Sequence, residues 1–221
     1  MLNLVVADAE LQLIPEQMLD DPAIKKIAAK NHKKPSEMLL DSNYMHTSID
    51  KYFPGRSTRM GRPDIIYIFL EVAMESILNK RGHLRIYIHT KENKIIVINP
   101  DVSLPKSYNR FTGLIEDLFR KKEIKVGGKT LLSMENEDII SFLNNTGKNT
   151  VVLSPHGKFS NPSDIINMDN INVVIGGFSE GDYVTNLYDH FNSYSIFKDE
   201  LTIWSVGMEI IAQFERFIKV L

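Results

Sequence analysis

Three short apolar segments in the last third of the chain each run directly into a loop, and this pattern most restricts the fold. They read NTVVLSPHG, INVVIGGFSEG and HFNSYSIFKDE. Short apolar strands rich in β-branched residues are typical of a parallel sheet that is covered on both faces. Because ligands in open α/β sheets bind beyond the carboxyl ends of the strands, these loops predict one backbone-rich pocket suited to an adenine edge and a ribose.

Two glycine motifs resemble phosphate-binding loops, but each lacks one of the glycines that such a loop requires. EIKVGGKT carries Glu123 where a P-loop has its first glycine, so a simple turn is expected there. IGGFSEGDY carries Phe178 where the dinucleotide fingerprint has its second glycine. A glycine pair at the end of a strand is most often only a turn. Its position beside two similar loops is what favours a ligand site.

The rest of the chain predicts alternating strands and helices. A first strand is expected over residues 2–7, a short helix near Asp21 and Pro22, a longer helix from Pro63 to just before Gly82, and a final helix over residues 202–220. The sequence therefore predicts one α/β domain over residues 1–221, with a mostly parallel central sheet and helices on both faces. It also predicts a small inserted α/β extension within about 20–60 and a β-hairpin region at about 84–99.

The net charge of −2 conceals a segregation of charges along the chain. Residues 51–129 hold 16 Lys and Arg against 8 Asp and Glu, whereas residues 130–221 hold 5 against 12. A basic middle predicts a surface that faces a polyanion, with solvated helix faces as the equal alternative. Arginine forks and backbone N–H groups near helix starts favour phosphate contacts, and five basic residues lie at such places: Arg56, Arg59, Arg62, Lys106 and Arg110.

Several classes of chemistry are excluded or disfavoured. The chain has no cysteine, which excludes disulfides, thiolate zinc sites and cysteine nucleophiles. Its six histidines are scattered, so no metal site is expected. No Gly-x-Ser-x-Gly elbow is present, so acyl-transfer chemistry lacks its signature. The sequence also shows no basic-then-apolar leader and no apolar run of bilayer length, so we expect a cytoplasmic protein that does not associate with membranes.

Four segments carry a resemblance to a known family, of which the Arg-Pro-Asp-Ile helix start is the most specific part. They are RMGRPDIIYIFLEVAMESILNKRGHLRIYIHT, NPDVSLPKSYNRFTGLIEDLF, VVIGGFSEGDY and YSIFKDELTIWSVGMEII. The sequence resembles the Nep/Emg ribosome-biogenesis proteins, which are pseudouridine-N1-methyltransferases of the SPOUT superfamily. The resemblance covers nearly the whole chain, although Ser103 stands where a basic RNA contact is expected in many relatives. It implies a trefoil-knotted α/β domain that binds S-adenosylmethionine and forms a homodimer.

The resemblance also implies roles for individual residues. The cofactor would be bound by residues of the three late loops, and the glycines among them would let it approach the backbone: Leu153, Gly176, Gly177, Gly181, Asp182, Ile196, Phe197, Lys198, Asp199, Glu200 and Leu201. Small-subunit ribosomal RNA would be bound by five residues of the basic middle: Arg59, Arg62, Lys106, Asn109 and Arg110. Arg62 and Asp64 would form the catalytic pair, with Arg62 stabilising charge on the target base and Asp64 holding its guanidinium group.

Two alternatives remain at this point. Basic loops beside a bound cofactor also fit an RNA-binding assembly factor whose main role in small-subunit biogenesis does not need catalysis, with other assembly factors as further partners. A Rossmann-like enzyme that acts on a small nucleotide is the other alternative, and it would bind a phosphorylated cofactor.

Overall fold

The computed structural model describes residues 1–220, which form one eight-stranded sheet with eight helices around it. The strands are β1 (Leu2–Ala9), β2 (Leu84–Thr90), β3 (Lys94–Ile98), β4 (Glu123–Val126), β5 (Lys129–Asn136), β6 (Asn149–Phe159), β7 (Ile171–Gly176) and β8 (Asn192–Ser195). The helices are α1 (Pro22–Lys30), α2 (Ser42–Tyr52), α3 (Pro63–Met74), α4 (Ile77–Lys80), α5 (Tyr108–Lys121), α6 (Ile139–Asn145), α7 (Pro162–Ile165) and α8 (Ile203–Phe217).

The strand order across the sheet is β4-β5-β3-β2-β1-β7-β6-β8. The five strands β2, β1, β7, β6 and β8 are neighbours in that order, and each pairs with the next in parallel. Beyond β2, the strands β3, β5 and β4 extend the sheet in antiparallel pairs. The predicted α/β fold with a mostly parallel sheet and surrounding helices is confirmed. The pair β2 and β3 lies at the residues where a hairpin was predicted.

Strand β1 lies at the centre of the parallel part, and all eight of its residues are buried. Leu4 and Val6 belong to the main core, which also contains residues of α3, α5 and α8. Val5 and Ala7 belong to a smaller core on the opposite face, which also contains residues of α6. Successive side chains of a strand point to opposite faces, so the unbroken apolar run from Leu4 to Ala7 suits a strand that is covered on both sides.

The segment between β1 and α3 is helical, apart from one isolated bridge between Leu13 and Leu39. It packs around an apolar cluster of its own, formed by Ile14, Met18, Ile24, Ala28, Met38, Leu40, Met45 and Ile49. Asp21 caps α1 by accepting a hydrogen bond from the N–H of Ala23. The same carboxylate also binds Lys51 of α2, which lowers the pKa of Asp21 to about 2. Helix α2 was not predicted from the sequence.

The long helix predicted from Pro63 towards Gly82 is in fact two helices. Helix α3 ends at Met74, and α4 begins after Ser76. The Ser76 hydroxyl accepts a hydrogen bond from the N–H of Asn79 and donates one to the carbonyl of Ala73, so it caps the second helix while closing the first. Gly82, with φ of 74°, follows α4.

The expected turn in EIKVGGKT is present, but its flanking strands were not predicted. Gly127 and Gly128 have φ of 57° and 81°, the left-handed values that a two-residue hairpin turn requires. They join β4 to β5 as an antiparallel pair. Within residues 1–220, no helix has the length and apolar character needed to cross a lipid bilayer.

Candidate active site

A pocket lies at the carboxyl ends of β6, β7 and β8, where the sequence predicts a ligand site. Its cavity has a volume of about 110 Å³ and lies within a wider cleft that is open to solvent. Most of the predicted cofactor residues line it, namely Leu153, Gly176, Gly181, Asp182, Ile196, Phe197, Asp199, Glu200 and Leu201. The three late loops therefore converge on one pocket.

Two of the predicted cofactor residues do not line the pocket. The Lys198 side chain is exposed to solvent. Gly177 is hydrogen-bonded to the end of β1, because its N–H donates to the carbonyl of Ala7 at 2.7 Å and its carbonyl accepts from the N–H of Glu10 at 3.1 Å. Gly177 therefore attaches the loop that forms one wall of the pocket to the end of β1.

The pocket is acidic. Four carboxylate side chains line it, those of Glu180, Asp182, Asp199 and Glu200, and its described lining contains no Lys, Arg or His. A phosphate group placed here would meet negative charge without a basic partner. The lining suits a ligand that carries positive charge, and it disfavours the phosphorylated cofactor of a Rossmann-like enzyme.

Two glycines in the loop after β7 are closely packed within the protein. A Cβ atom on Gly177 would lie 2.7 Å from the Cα of Ala9, and one on Gly181 would overlap Nη1 of Arg59, at the end of a flexible side chain. Gly181 also has φ of 76°, which side chains disfavour. The sequence-based explanation was that these positions leave room for a cofactor. At Gly177 and Gly181 the space is instead filled by other residues of the protein.

Two tyrosines fix the walls of the pocket. The hydroxyl of Tyr183 donates to the carbonyl of Leu153 at 2.7 Å, and that of Tyr188 contacts the Ser154 hydroxyl at 2.8 Å and the Asp182 carboxylate. Burial raises the pKa of Tyr183 well above its usual value and that of Tyr188 to about 12. Both hydroxyls therefore stay protonated near neutral pH and keep these bonds. No sequence signal singled out Tyr188 or Ser154.

Asp8, at the end of β1, anchors the chain that follows the pocket loop. Its carboxylate is almost completely buried and accepts hydrogen bonds from the backbone N–H groups of Val184 and Thr185, at 2.7 and 2.9 Å. It also accepts one from the hydroxyl of Thr185 at 2.7 Å. The only hint in the sequence is an acidic residue at the end of the first strand.

Arg62 and Asp64 form a bidentate ion pair at the start of α3. The Nε and Nη2 atoms of Arg62 donate to the two carboxylate oxygens of Asp64, each at 2.9 Å. Both side chains are about a quarter exposed. The bond to Asp64 raises the pKa of Arg62, which remains a cation with a fixed orientation.

The start of α5 lies beside the start of α3. The hydroxyl of Tyr67, on α3, donates to the carbonyl of Lys106 at 2.6 Å, and that of Tyr108 donates to the Asp41 carboxylate at 2.5 Å. The Lys106 ammonium lies 3.2 Å from the Glu75 carboxylate. These contacts place an exposed basic and polar group beside α3, formed by Lys106, Asn109 and Arg110, with the Lys106 ammonium at the C-terminal end of that helix.

Glu10 connects this surface to the pocket. Its carbonyl accepts from the N–H of Arg62 at 2.8 Å, and its own N–H donates to the carbonyl of Gly177. Backbone hydrogen bonds through Glu10 and Gly177 therefore link the start of α3 to the loop that forms one wall of the pocket.

Arg59 differs from the other predicted RNA-binding residues. Its side chain is only 19% exposed and is paired with the buried carboxylate of Glu10. Its Nη2 donates to the carbonyl of Asp182 at 3.1 Å. The guanidinium group points into the protein, where it contacts the pocket loop.

Comparison with known proteins gives a consistent result. The sequence profile of the EMG1/NEP1 methyltransferase family matches residues 4–215. The chain is 54% identical to a protein of Thermoplasma volcanium named ribosomal RNA small subunit methyltransferase Nep1, over 100% of both chains. It is 52% identical to the protein of that name from Thermoplasma acidophilum, over 99% of both chains. The crystal structure of Archaeoglobus fulgidus Nep1 bound to S-adenosylhomocysteine matches with a TM-score of 0.88 and 28% identity, over 98% of both chains.

Proposed function

The chain belongs to the EMG1/NEP1 methyltransferase family, and on that basis we propose that it transfers a methyl group from S-adenosylmethionine to N1 of a pseudouridine in small-subunit ribosomal RNA. The observation that carries the proposal is the acidic pocket at the carboxyl edge of the sheet, together with the Arg62–Asp64 pair on a segment that Glu10 links by backbone hydrogen bonds to the loop of the pocket wall. A ligand site and an anion-binding group thus lie on segments that are joined to each other.

The pocket residues fit the cofactor. When bound, S-adenosylmethionine supplies a methyl group that its positively charged sulfonium already activates. The carboxylates of Asp182, Asp199 and Glu200 complement that positive charge and the amino group of the methionine part. Ile196 and Leu201 provide apolar surface for the adenine ring. The protein then needs mainly to align the donor with the acceptor and to exclude water.

Arg62 is the residue that acts on the acceptor. N1 of pseudouridine carries a proton, which passes to a water molecule as the methyl group is transferred, and negative charge spreads onto the ring carbonyls as that proton leaves. A fixed guanidinium group stabilises this charge because it needs little reorganisation. Both carboxylate oxygens of Asp64 are occupied by Arg62, so Asp64 acts as a positioning residue and not as the base.

A pair of RNA stem-loops tests the reaction directly. In pseudouridine the sugar is attached to C5 and N1 is available, whereas in uridine N1 carries the sugar. We expect methyl transfer from radiolabelled cofactor to a stem-loop that contains pseudouridine and none to the same stem-loop with uridine. Nucleoside analysis should identify the product as N1-methylpseudouridine. Equal labelling of both RNAs would contradict the proposed acceptor atom.

The proposal extends to a role in small-subunit biogenesis. The exposed Lys106, Asn109 and Arg110 lie outside the pocket, so they can hold RNA whether or not a methyl group is transferred. Their position supports an RNA-binding surface that an assembly factor would use, with other assembly factors as further partners.

We also propose a homodimer formed through α3 and α8. These helices pack side by side, and their outer faces carry apolar side chains. Ile68 and Val72 are each 37% exposed on α3, and Trp204 and Met208 are partly exposed on α8. A second copy of the chain would cover this combined face without involving the basic surface at the start of α5.

Sedimentation equilibrium of a charged variant tests the dimer. We expect the wild type to have twice the mass of one chain, and Val72→Glu with Met208→Glu to be a monomer, because two carboxylates cannot be buried unpaired. Val126→Glu is the control, since Val126 is 65% exposed on β4 at the far edge of the sheet. A wild-type monomer at micromolar concentration would refute this interface.

A further inference from the structure

A buried cluster of three charged residues lies between the pocket and the RNA-facing surface. Glu10 has no exposed side-chain surface, and its Oε1 atom lies 3.0 Å from Nε of Arg59 and 3.0 Å from Nζ of Lys91. Its Oε2 atom is buried and has no hydrogen-bond partner within the described structure. A buried carboxylate is costly unless it is paired, so Arg59 and Lys91 are held firmly against it.

Arg59 reaches the pocket wall from this cluster. Its Nη2 donates to the carbonyl of Asp182 at 3.1 Å, and its guanidinium group lies 4.7 Å from the ring centre of Phe178. Its Nη1 occupies the space that a Cβ atom on Gly181 would need. One planar side chain therefore contacts both ends of the glycine loop, which we define as residues 177–183.

A second set of contacts joins the same two segments at the surface. The hydroxyl of Thr58 donates to the Glu180 carboxylate at 2.6 Å, and the hydroxyl of Ser179 donates to the carbonyl of Thr58. Thr58, Arg59 and Arg62 all belong to the α2–α3 loop, residues 53–62. The segment that ends in Arg62 is therefore attached side by side to the segment that forms the pocket wall.

We propose that Arg59 is a positioning residue that couples the two binding sites, so that the adenosyl ligand and the RNA each strengthen the binding of the other. This inference rests on the proposed function. A ligand in the pocket favours the arrangement in which the glycine loop is closed against Arg59, and that arrangement holds the α2–α3 loop and Arg62 in place for RNA. Coupling of this kind is reciprocal and typically amounts to about 5- to 150-fold in affinity.

The chemistry of arginine explains why lysine would not serve. A guanidinium group presents several N–H donors in a fixed plane, so it can bind Glu10, donate to a carbonyl and pack on a ring at the same time. An ammonium group at the end of a flexible chain can neutralise Glu10 but cannot also make the other two contacts. Arg59→Lys therefore keeps the buried charge balanced and removes the link to the pocket.

The test measures RNA affinity with and without saturating S-adenosylhomocysteine. Fluorescence anisotropy with a labelled pseudouridine stem-loop gives the dissociation constant in each state. For the wild type we expect the ligand to tighten RNA binding by roughly five-fold or more. For Arg59→Lys we expect a ratio close to one. Arg56→Lys is the matched control, because Arg56 is exposed in the same loop and its ratio should equal that of the wild type.

Thermal melting shows whether Arg59→Lys folds. If it does not fold, a second variant tests the same proposal. Thr58→Val combined with Ser179→Ala removes the surface contacts and leaves the pair of Glu10 and Arg59 intact. We expect its coupling ratio to fall below that of the wild type. A role of Arg59 in stability alone would lower the melting temperature without changing this ratio.

The outcomes separate the two proposals. If the wild type binds both S-adenosylhomocysteine and RNA but the ratio is one, or if folded Arg59→Lys keeps the wild-type ratio, the coupling is refuted and the proposed function stands. If calorimetry finds that the wild type does not bind S-adenosylhomocysteine, both proposals are refuted.

Discussion

Arg62→Ala should lower the rate of methyl transfer by roughly 100- to 1,000-fold at saturating cofactor, the typical cost of removing one charge-stabilising donor from an active site. The affinity for S-adenosylhomocysteine should stay within two-fold of wild type, because the Arg62 side chain does not line the pocket and makes its paired hydrogen bonds to Asp64. Single-turnover kinetics on a pseudouridine stem-loop, together with calorimetry, measures both quantities.

Asp64→Asn provides the graded control for this prediction. The amide keeps the size of the side chain and one acceptor oxygen but cannot bind both donors of Arg62. We expect a smaller loss of rate than for Arg62→Ala, with cofactor affinity again unchanged. A parallel loss of cofactor affinity and rate in Arg62→Ala would show that Arg62 supports the pocket instead of acting on the base.

Gly177→Ala should destabilise the protein by about 3 kcal/mol and abolish cofactor binding. The added Cβ would lie 2.7 Å from the Cα of Ala9 and 2.7 Å from Cγ1 of Val6, at the centre of the sheet. Neither contact can be relieved by turning a flexible side chain, so the glycine loop must move away from β1. Overpacking of this kind typically costs about 1–3 kcal/mol and sometimes more. Urea unfolding and calorimetry with S-adenosylhomocysteine measure the two effects.

Gly113→Ala is the matched control for Gly177→Ala. Gly113 lies within α5, and an added Cβ there would have no neighbour within 4 Å. Alanine is the better helix former by up to about 1 kcal/mol, so this variant should be as stable as the wild type or more stable. If the two variants had equal stability, the packing explanation for Gly177 would be wrong.

The sequence predicted those parts of the fold that depend on local signals. The start of α3 was predicted because Pro63 suits the first helical position and Asp64 the first turn. The pocket was predicted because three apolar strands end in loops at one edge of the sheet. The trefoil knot that the family resemblance implies remains a prediction.

The features that were missed depend on contacts between distant residues. Strand β5 pairs with β3 on one side and with β4 on the other, and neither partner can be identified from the residues of β5 alone. The division of the long helix depends on the Ser76 hydroxyl, a residue type that also occurs within helices.

Arg59 shows the same limit at the level of a single side chain. By charge and spacing alone it was indistinguishable from Arg56 and Arg62. Its inward orientation depends on Glu10, which lies 49 residues away, and on the carbonyl of Asp182, which lies 123 residues away. Residue type and local spacing contain no information about either contact.

The pairing of β1 with β7 has a consequence for synthesis of the protein. Leu2 pairs with Ile171, and Ala7 pairs with Gly176, so the first strand to leave the ribosome lacks one of its two neighbours until three-quarters of the chain has been made. Until then it presents an apolar edge that can pair with other chains. Folding governed by such distant contacts is slow, which lengthens the time for which this edge is unpaired.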